Sequence, residues 1–402
     1  MIQFPYLAIF FILFLLSFPS TISAGKIKLR NNINAFNFQN SYYAFLMIYI
    51  IIFFIGGRWY VGSDCINYEN AFLNAPKIFG LTTKELELFF KKCGMEKGFC
   101  VFMILFKSFF NNYWVFSFFN SAFDYIIFYL CLRDYLPKYK GIAILIFYVF
   151  IADSHLGINM VRNLKSVMIF LYSIRYIVNK KFYKYVLLNL FGCLFHLSSL
   201  FYLPLYFLLN KKIRKYIFVI IYGIGLLFFF LKIKWVGVVL TPFANTNFGR
   251  ISHLVLAYTD KVNPLSVSGR ITIGFLERFF SFILLLKYKK IIEEKFKFGV
   301  VFVNMAFIYF IIFFFFNEIY IFVQRLPPLF LISYCFIFPM IYSLLTKEQK
   351  CYFYIIIFLY GFLRVYKGNS NAHYIYNNIF NPFKPDSFYR IKEIISTESK
   401  VI

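Results

Sequence analysis

Charge is scarce in this sequence, and acidic charge most of all. Only 15% of the 402 residues are charged, and 17 of those are Asp or Glu against 43 Lys or Arg. A soluble domain of this length carries about 25% charged and roughly 45–50% apolar residues. Four histidines and seven cysteines supply little metal chemistry, because no CxxC pair and no Cys/His metal spacing occurs. Gly-rich nucleotide loops, Walker motifs and HExxH are missing, so neither ATP nor zinc is expected to drive a reaction and no cofactor is expected. Heptads and solenoid-length repeats are missing too, which removes coiled coils and repeat arrays.

What the chain has instead is apolar length. Hydrophobic residues make up 61% of it, in recurring runs of about 17–25 residues, the length that crosses a bilayer core. The expected fold is all-α, a polytopic transmembrane bundle of about 10–12 spans. The 61 Phe and 33 Tyr accompany heavy use of Ile, Asn and Lys, as an AT-rich coding sequence produces. Aromatic stripes are therefore read as packing or bilayer-facing residues.

The net charge of +26 is not a nucleic-acid footprint. Its basic residues fall in short clusters between apolar runs: Lys26/Lys28/Arg30, Arg133/Lys138/Lys140, Lys180/Lys181/Lys184, Lys211/Lys212/Arg214/Lys215 and Lys287/Lys289/Lys290. That is the positive-inside pattern of cytoplasmic loops, not one continuous basic face. No nucleic-acid partner is expected.

These clusters set a topology. The first span, about 4–24, ends in a cleavage-like Thr21-Ile-Ser-Ala-Gly25, but no basic n-region precedes it and Lys26–Arg30 follows it. It is read as a retained span rather than a signal. The second, about 41–57, delivers Arg58 to the outer side, where about 58–112 form a polar extracytoplasmic region holding one short apolar piece, about 99–110. Further spans lie near 113–132, 141–158, 163–178, 215–231, 271–287, 298–316, 326–345 and 351–366. The loop of about 232–270, with Pro242 and Pro264, falls outside, as do the turns at Asn317-Glu318 and Gln324-Arg325. The segment from Tyr185 to Leu209 has basic clusters at both ends. It is either one kinked crossing or a pair of half-helices broken around His196-Leu-Ser-Ser199, a form tolerated where it faces protein or a watery cavity. One helical domain thus spans 1–367, followed by a polar tail, 368–402.

Ionisable groups at membrane depth are costly and usually line a substrate path. Arg58 and Asp64 lie at the outer end of the second span, Glu96 and Lys97 precede the short apolar piece, and Arg162 lies between two spans. His196 interrupts an apolar stretch, and Arg325 opens a span. Glu277 and Arg278 sit inside a span, point to different helix faces and each need a partner of their own. Bland readings stand beside these. Arg58 and Arg325 can anchor helix ends, Arg162 can snorkel to headgroups, Asp64 can serve as a turn or N-cap residue, and His196 can be a hydrogen-bonded packing residue. Most of the cysteines (Cys131, Cys193, Cys335, Cys351) are read as packing residues. Cys65, Cys93 and Cys100 surround one polar loop, where a disulfide is open. Arginine forks match phosphate oxygens, so arginines converging on one side suit a lipid-linked pyrophosphate. A nearby carboxylate or histidine could take a proton from a sugar hydroxyl.

Four segments, in order, carry a family resemblance, with two weaker matches after them. Arg58-Trp-Tyr-Val-Gly-Ser-Asp64-Cys-Ile-Asn-Tyr68 resembles the Arg-x-x-Val-Gly-Thr-Asp-x-x-x-Tyr signature of the EpsG family of bacterial exopolysaccharide polymerases, relatives of Wzy-type O-antigen polymerases. Glu96-Lys-Gly98-Phe99 is similar to its Glu-Pro-Gly-aromatic turn, Asn159-Met-Val-Arg162-Asn163 to its Asn-x-x-Arg-Gln segment, and Phe195-His196-Leu-Ser198-Ser199 to its Phe-His-x-Ser-Ala segment. Arg325 and the closing Tyr374-Ile-Tyr376 match more weakly. The resemblance covers about 40–380. Ser63 departs from Thr, Lys97 from Pro, and Lys165-Ser166 stand where small apolar residues are common.

The resemblance implies an enzyme of the bacterial plasma membrane, with its active side extracytoplasmic. It would transfer a growing glycan from undecaprenyl pyrophosphate to the terminal sugar of a lipid-linked repeat unit. Arg162, Arg325 and Arg58 would bind the pyrophosphate, and Asp64, Glu96 or His196 would act as base, without metal. The lipid-linked oligosaccharide and membrane lipids are the implied partners, with a chain-length regulator and other assembly proteins as further candidates. Two alternatives remain: a single-sugar transferase using polyprenyl-phosphate sugars, and a lipid-linked oligosaccharide flippase. The flippase predicts inverted repeats, and none is visible.

Overall fold

The computed structural model of the protein describes residues 3–18, 33–136, 138–236, 238–239, 269–318, 325–370 and 374–379, with backbone alone for 33–40 and 155. The cleavage-like stretch with Lys26, Lys28 and Arg30, residues 240–268 of the outer loop with Pro242 and Pro264, Gln324, and the tail beyond Ile379 lie outside the described residues.

The fold is all-helical; the described residues contain no strand and one isolated bridge, Arg58 to Asn378. Two compact units divide the chain, one formed by 1–207 and 334–402 and the other by 208–333. In the first unit α1 is Phe4–Ser17 and α2 is Ile33–Ile51, which widens into a π turn, Ile52–Gly56, just before Arg58. The polar region then forms three short helices: α3 Cys65–Asn74, α4 Thr83–Cys93 and α5 Lys97–Phe109. A reciprocal capping box starts α4, with Thr82 and Glu85 satisfying each other's backbone amides.

Next come α6 Tyr113–Tyr135, α7 Lys140–Phe147 with a π turn Tyr148–Ala152, the single turn α8 His155–Ile158, α9 Val161–Val178 and α10 Phe182–Cys193. The π turns that end α2 and α7 both precede polar residues, Arg58 and Asp153. π-bulges collect at such functional junctions.

The segment after Lys181 is a broken pair. Helix α10 stops at Cys193, and a 3-10 helix, Leu197–Phe207, returns along it. The Tyr185 hydroxyl donates to the Tyr202 carbonyl at 2.5 Å, and the Phe182 and Tyr206 rings lie 5.0 Å apart. A continuous helix would separate residues 185 and 202 by roughly 25 Å, so the chain reverses at 194–196. Gly192 makes the reversal possible, since a Cβ there would overlap the Ser199 hydroxyl.

The second unit contains α11 Lys215–Phe230, α12 Ile273–Lys295, α13 Gly299–Phe315 and the short α14 Pro328–Leu331. Its helices are stitched by rings: Tyr222 stacks on Phe282 at 3.6 Å and Phe218 on Phe307 at 3.8 Å. The first unit closes with α15 Tyr334–Leu344 and α16 Lys347–Gly368.

Two described helices, Tyr113–Tyr135 and Lys347–Gly368, are long and apolar enough to cross a bilayer by length and composition; several shorter helices are equally apolar. Large side chains such as Leu187, Phe201, Leu227, Phe280 and Ile356 are exposed. Apolar exposure on this scale marks a surface that another apolar phase covers.

Candidate functional site

Glu96, Arg162 and His196 come together in the first unit. Glu96 occupies the N-cap position of α5 without capping it, Arg162 stands in the first turn of α9, and His196 lies in the reversal between α10 and the 3-10 helix. Arg162 Nη1 and Glu96 Oε2 form an ion pair in close contact. The other carboxylate oxygen accepts the Leu197 amide at 3.4 Å and lies 4.0 Å from His196 Nε2.

Gly98 explains why these elements can meet. A Cβ at Gly98 would overlap both the side chain and the carbonyl of Leu194, and the neighbouring Phe99 amide donates to that carbonyl at 3.2 Å. The Glu96-Lys-Gly98-Phe99 turn therefore docks directly on the break beside His196. Lys97 in place of proline leaves this docking intact, because the close approach depends on the glycine.

Tyr68 supplies the third wall. Its hydroxyl accepts from Arg162 Nε at 3.4 Å and donates to the Asn159 carbonyl at 3.3 Å. Burial raises the Tyr68 hydroxyl above its ordinary range, opposed by Arg162, with Asp64 and Glu96 also in electrostatic reach. Gly62 carries the first motif onto the third. It adopts φ +92°, and a Cβ there would overlap the Asn159 side-chain oxygen. The Asn159 amide in turn donates to the Tyr374 hydroxyl at 3.2 Å.

His196 is held from the other side. The Ser198 amide donates to His196 Nδ1 at 3.1 Å, and the Ser198 hydroxyl donates to Asn163 Oδ1 at 2.7 Å. Nδ1 also lies 2.8 Å from the Ser198 hydroxyl, and the opposite ring nitrogen, Nε2, faces Glu96. Arg162 keeps one terminal nitrogen, Nη2, without a partner among the described residues, and its side chain is 24% exposed. The arrangement is a carboxylate between a guanidinium and an imidazole, with water access.

The remaining expected site residues are placed differently. Asp64 stands at the N-cap position of α3, yet its side chain caps no amide; it accepts from the Ser63 hydroxyl at 3.3 Å and is half-buried. Arg58 is only 6% exposed, where its sequence position suggests an open helix end. Its terminal nitrogens donate to the carbonyls of Ile55 (2.6 Å) and Ile158 (2.9 Å), so it ties the π turn of α2 to the end of α8. Arg325 is exposed and belongs to the second unit. Glu277 and Arg278 find partners of their own, Ser281 at 3.2 Å and the Gly274 carbonyl at 2.5 Å, and also approach each other at 3.8 Å.

One pair went unforeseen. Lys165, one turn beyond Arg162, meets Asp124 of α6 at 2.9 Å, and both side chains are 1% exposed. Asp124 sits alone in an apolar run, which is the signal that could have found it. Its presence accounts for Lys165 where small residues are common. Asp153, likewise buried, accepts two bonds from Asn369 at 2.8 and 2.9 Å.

The segments that meet here are those of one family signature, and the sequence model of the EpsG family matches residues 41–383. The chain belongs to the EpsG family. Neither a curated protein nor a solved structure matches it significantly. EpsG proteins are a membrane polymerase family of polysaccharide biosynthesis, so membership implies an exopolysaccharide-polymerase-like glycosyltransferase. In this EpsG chain the first four signature segments converge on Glu96 and Arg162.

Proposed function

We propose that this protein polymerises oligosaccharide repeat units on undecaprenyl pyrophosphate at the outer face of the bacterial plasma membrane, as a polytopic helical bundle. The observation that carries this reading is the water-accessible Arg162–Glu96 pair with His196 beside it. Arg162 offers a free fork arm to a phosphate oxygen, and bidentate binding of phosphate suits guanidinium better than any other side chain.

In this mechanism the donor pyrophosphate takes Arg162 away from Glu96, and Glu96 turns to the acceptor. The acceptor hydroxyl oxygen attacks the anomeric carbon of the growing chain, and its proton passes to Glu96. The bond from that carbon to the pyrophosphate oxygen breaks, and undecaprenyl pyrophosphate leaves with the electron pair, stabilised by Arg162. His196, whose Nε2 faces Glu96 at 4.0 Å, holds the carboxylate after Arg162 has moved. Asp64 is assigned to the acceptor sugar as a reserve base. Arg58 is reassigned from phosphate binding to positioning, since its fork is spent on backbone carbonyls.

A deletion strain separates the classes. Single lipid-linked repeat units on the outer surface support polymerase, units trapped inside indicate a flippase, and a full-length chain missing one sugar indicates a single-sugar transferase. Either of the last two outcomes sinks the proposal.

A further inference from the structure

Two of the seven cysteines touch. Cys93 Sγ and Cys100 Sγ lie 3.3 Å apart, Cys93 at the C-terminal end of α4 and Cys100 one turn into α5. All cysteines in the structure are free thiols, so this contact is a reduced pair. Between the two lies the turn Gly94-Met95-Glu96, which enters through Gly94 in the left-handed region, φ +63°. The residue enclosed by the pair is thus the carboxylate that faces Arg162.

The two thiols are unequal in a useful way. Cys100 is fully buried, whereas Cys93 lines a cleft of about 600 Å³ between α3 and α4, together with Asn70, Lys92 and Met95. The hydrogen bond from the Cys100 thiol holds the Cys93 thiol down at about 7, and the same bond, with burial, pushes Cys100 up. A reachable thiolate next to a buried, resolving thiol is the arrangement that thiol–disulfide exchange requires. A disulfide bond is about 2.05 Å long, so the two sulfurs at 3.3 Å are already in contact and need only a short approach to bond.

We propose that Cys93 and Cys100 are an oxidative modification site, converted to an intramolecular disulfide that closes the turn carrying Glu96. The oxidant is a protein disulfide of the extracytoplasmic thiol-oxidase class. Cys93 thiolate attacks one of its sulfurs and expels a thiolate. Cys100, giving its proton to that thiolate, then attacks Cys93 Sγ and expels the mixed-disulfide sulfur. Two cysteine thiols are oxidised and one oxidant disulfide is reduced to two thiols. The proposal rests on the functional reading above only for placing this loop outside, in an oxidising compartment.

Tryptic peptides provide a direct readout. Trypsin cuts after Lys92, Lys97 and Lys107, so Cys93–Lys97 and Gly98–Lys107 are separate peptides unless a disulfide joins them. Cells are blocked with N-ethylmaleimide in denaturant, the full-length protein is purified, and peptide masses are read with and without prior treatment by a membrane-impermeant phosphine. The expected result is a linked pair two hydrogens lighter than the sum, lost after the phosphine and absent in Cys93→Ser, Cys100→Ser and the double variant. The double variant should lose no more polymer than either single one, because one missing thiol already prevents the bond. Recovery of both peptides as maleimide adducts without reductant, or linkage of Cys93 to Cys65 instead, would overturn the proposal. A linked pair in a protein whose Arg162→Ala variant still makes normal polymer would sink the polymerase reading and leave this one standing.

Discussion

Arg162 and Lys165 stand one turn apart on the same helix, and each faces a carboxylate from another element. Yet Arg162 and Glu96 keep 24% and 16% of their side chains in water, while Lys165 and Asp124 keep 1% each. Lys165 also donates to the Asn120 carbonyl at 3.3 Å and lies 4.6 Å from the Phe123 ring centre, so its ammonium is fully engaged. A pair sealed this way cannot exchange partners without leaving a naked charge in an apolar interior. The pair at the rim can. The same chemistry one turn apart thus serves two ends, holding α9 against α6 in one place and waiting for a substrate in the other.

The contrast can be broken at either pair. The largest effect belongs to Arg162→Ala. Removing one donor to a developing oxyanion typically costs about 10²–10³ in rate, so long-chain polysaccharide should disappear on gels while the amount of membrane protein, read by immunoblot, holds. Glu96→Gln should behave alike. Lys165→Met should show the reverse pattern: uncovering the Asp124 charge costs about 3–5 kcal/mol, which reads out as lost protein rather than lost turnover per molecule. The pair variant Asp124→Leu/Lys165→Met should recover protein and polymer together, since an apolar pair of similar volume replaces a buried ion pair at little or no cost. Persistent loss of polymer at normal protein levels in that double variant would mean that Lys165 works in the chemistry.

A smaller effect is expected at Gly98→Ala. The added methyl has to push Leu194 away, an overpacking of about 1–3 kcal/mol, and it moves Glu96 from His196 in the process. Polymer should shorten before the protein is lost, which a length ladder resolves. The smallest effect is a pH profile. In phosphine-reduced protein, alkylation of Cys93 should rise through about pH 7, because deprotonation makes the thiolate. In Cys100→Ser the rise should move to higher pH if the thiol contact is its cause.

Much of this is legible in the amino-acid sequence. Most long helices fall within the apolar runs, although the run of 326–345 divides into α14 and α15 and the polar region holds α3 and α4, and basic clusters flanking too short a segment point to the break in 185–209 as one of two forms. The convergence of Glu96, Arg162 and His196 follows from motifs that belong to one signature. Other features are not legible, for physical reasons. The Asp124–Lys165 pair depends on the register of α6 against α9, which residue spacing within either helix does not encode. Arg58 looks like an exposed end anchor because its acceptors are main-chain carbonyls, at Ile55 and Ile158, which any sequence would supply. Tyr68 reads as part of a motif, and only packing makes its hydroxyl the bridge between Arg162 and Asn159.

The most direct test of the central claim uses purified full-length protein in lipid nanodiscs, supplied with the lipid-linked repeat units that accumulate in the deletion strain. The quantity to follow is undecaprenyl pyrophosphate released per protein per minute. Release by the unaltered protein and a fall to about 1% or less in Arg162→Ala are expected. Release by Arg162→Ala at the unaltered rate would contradict that claim.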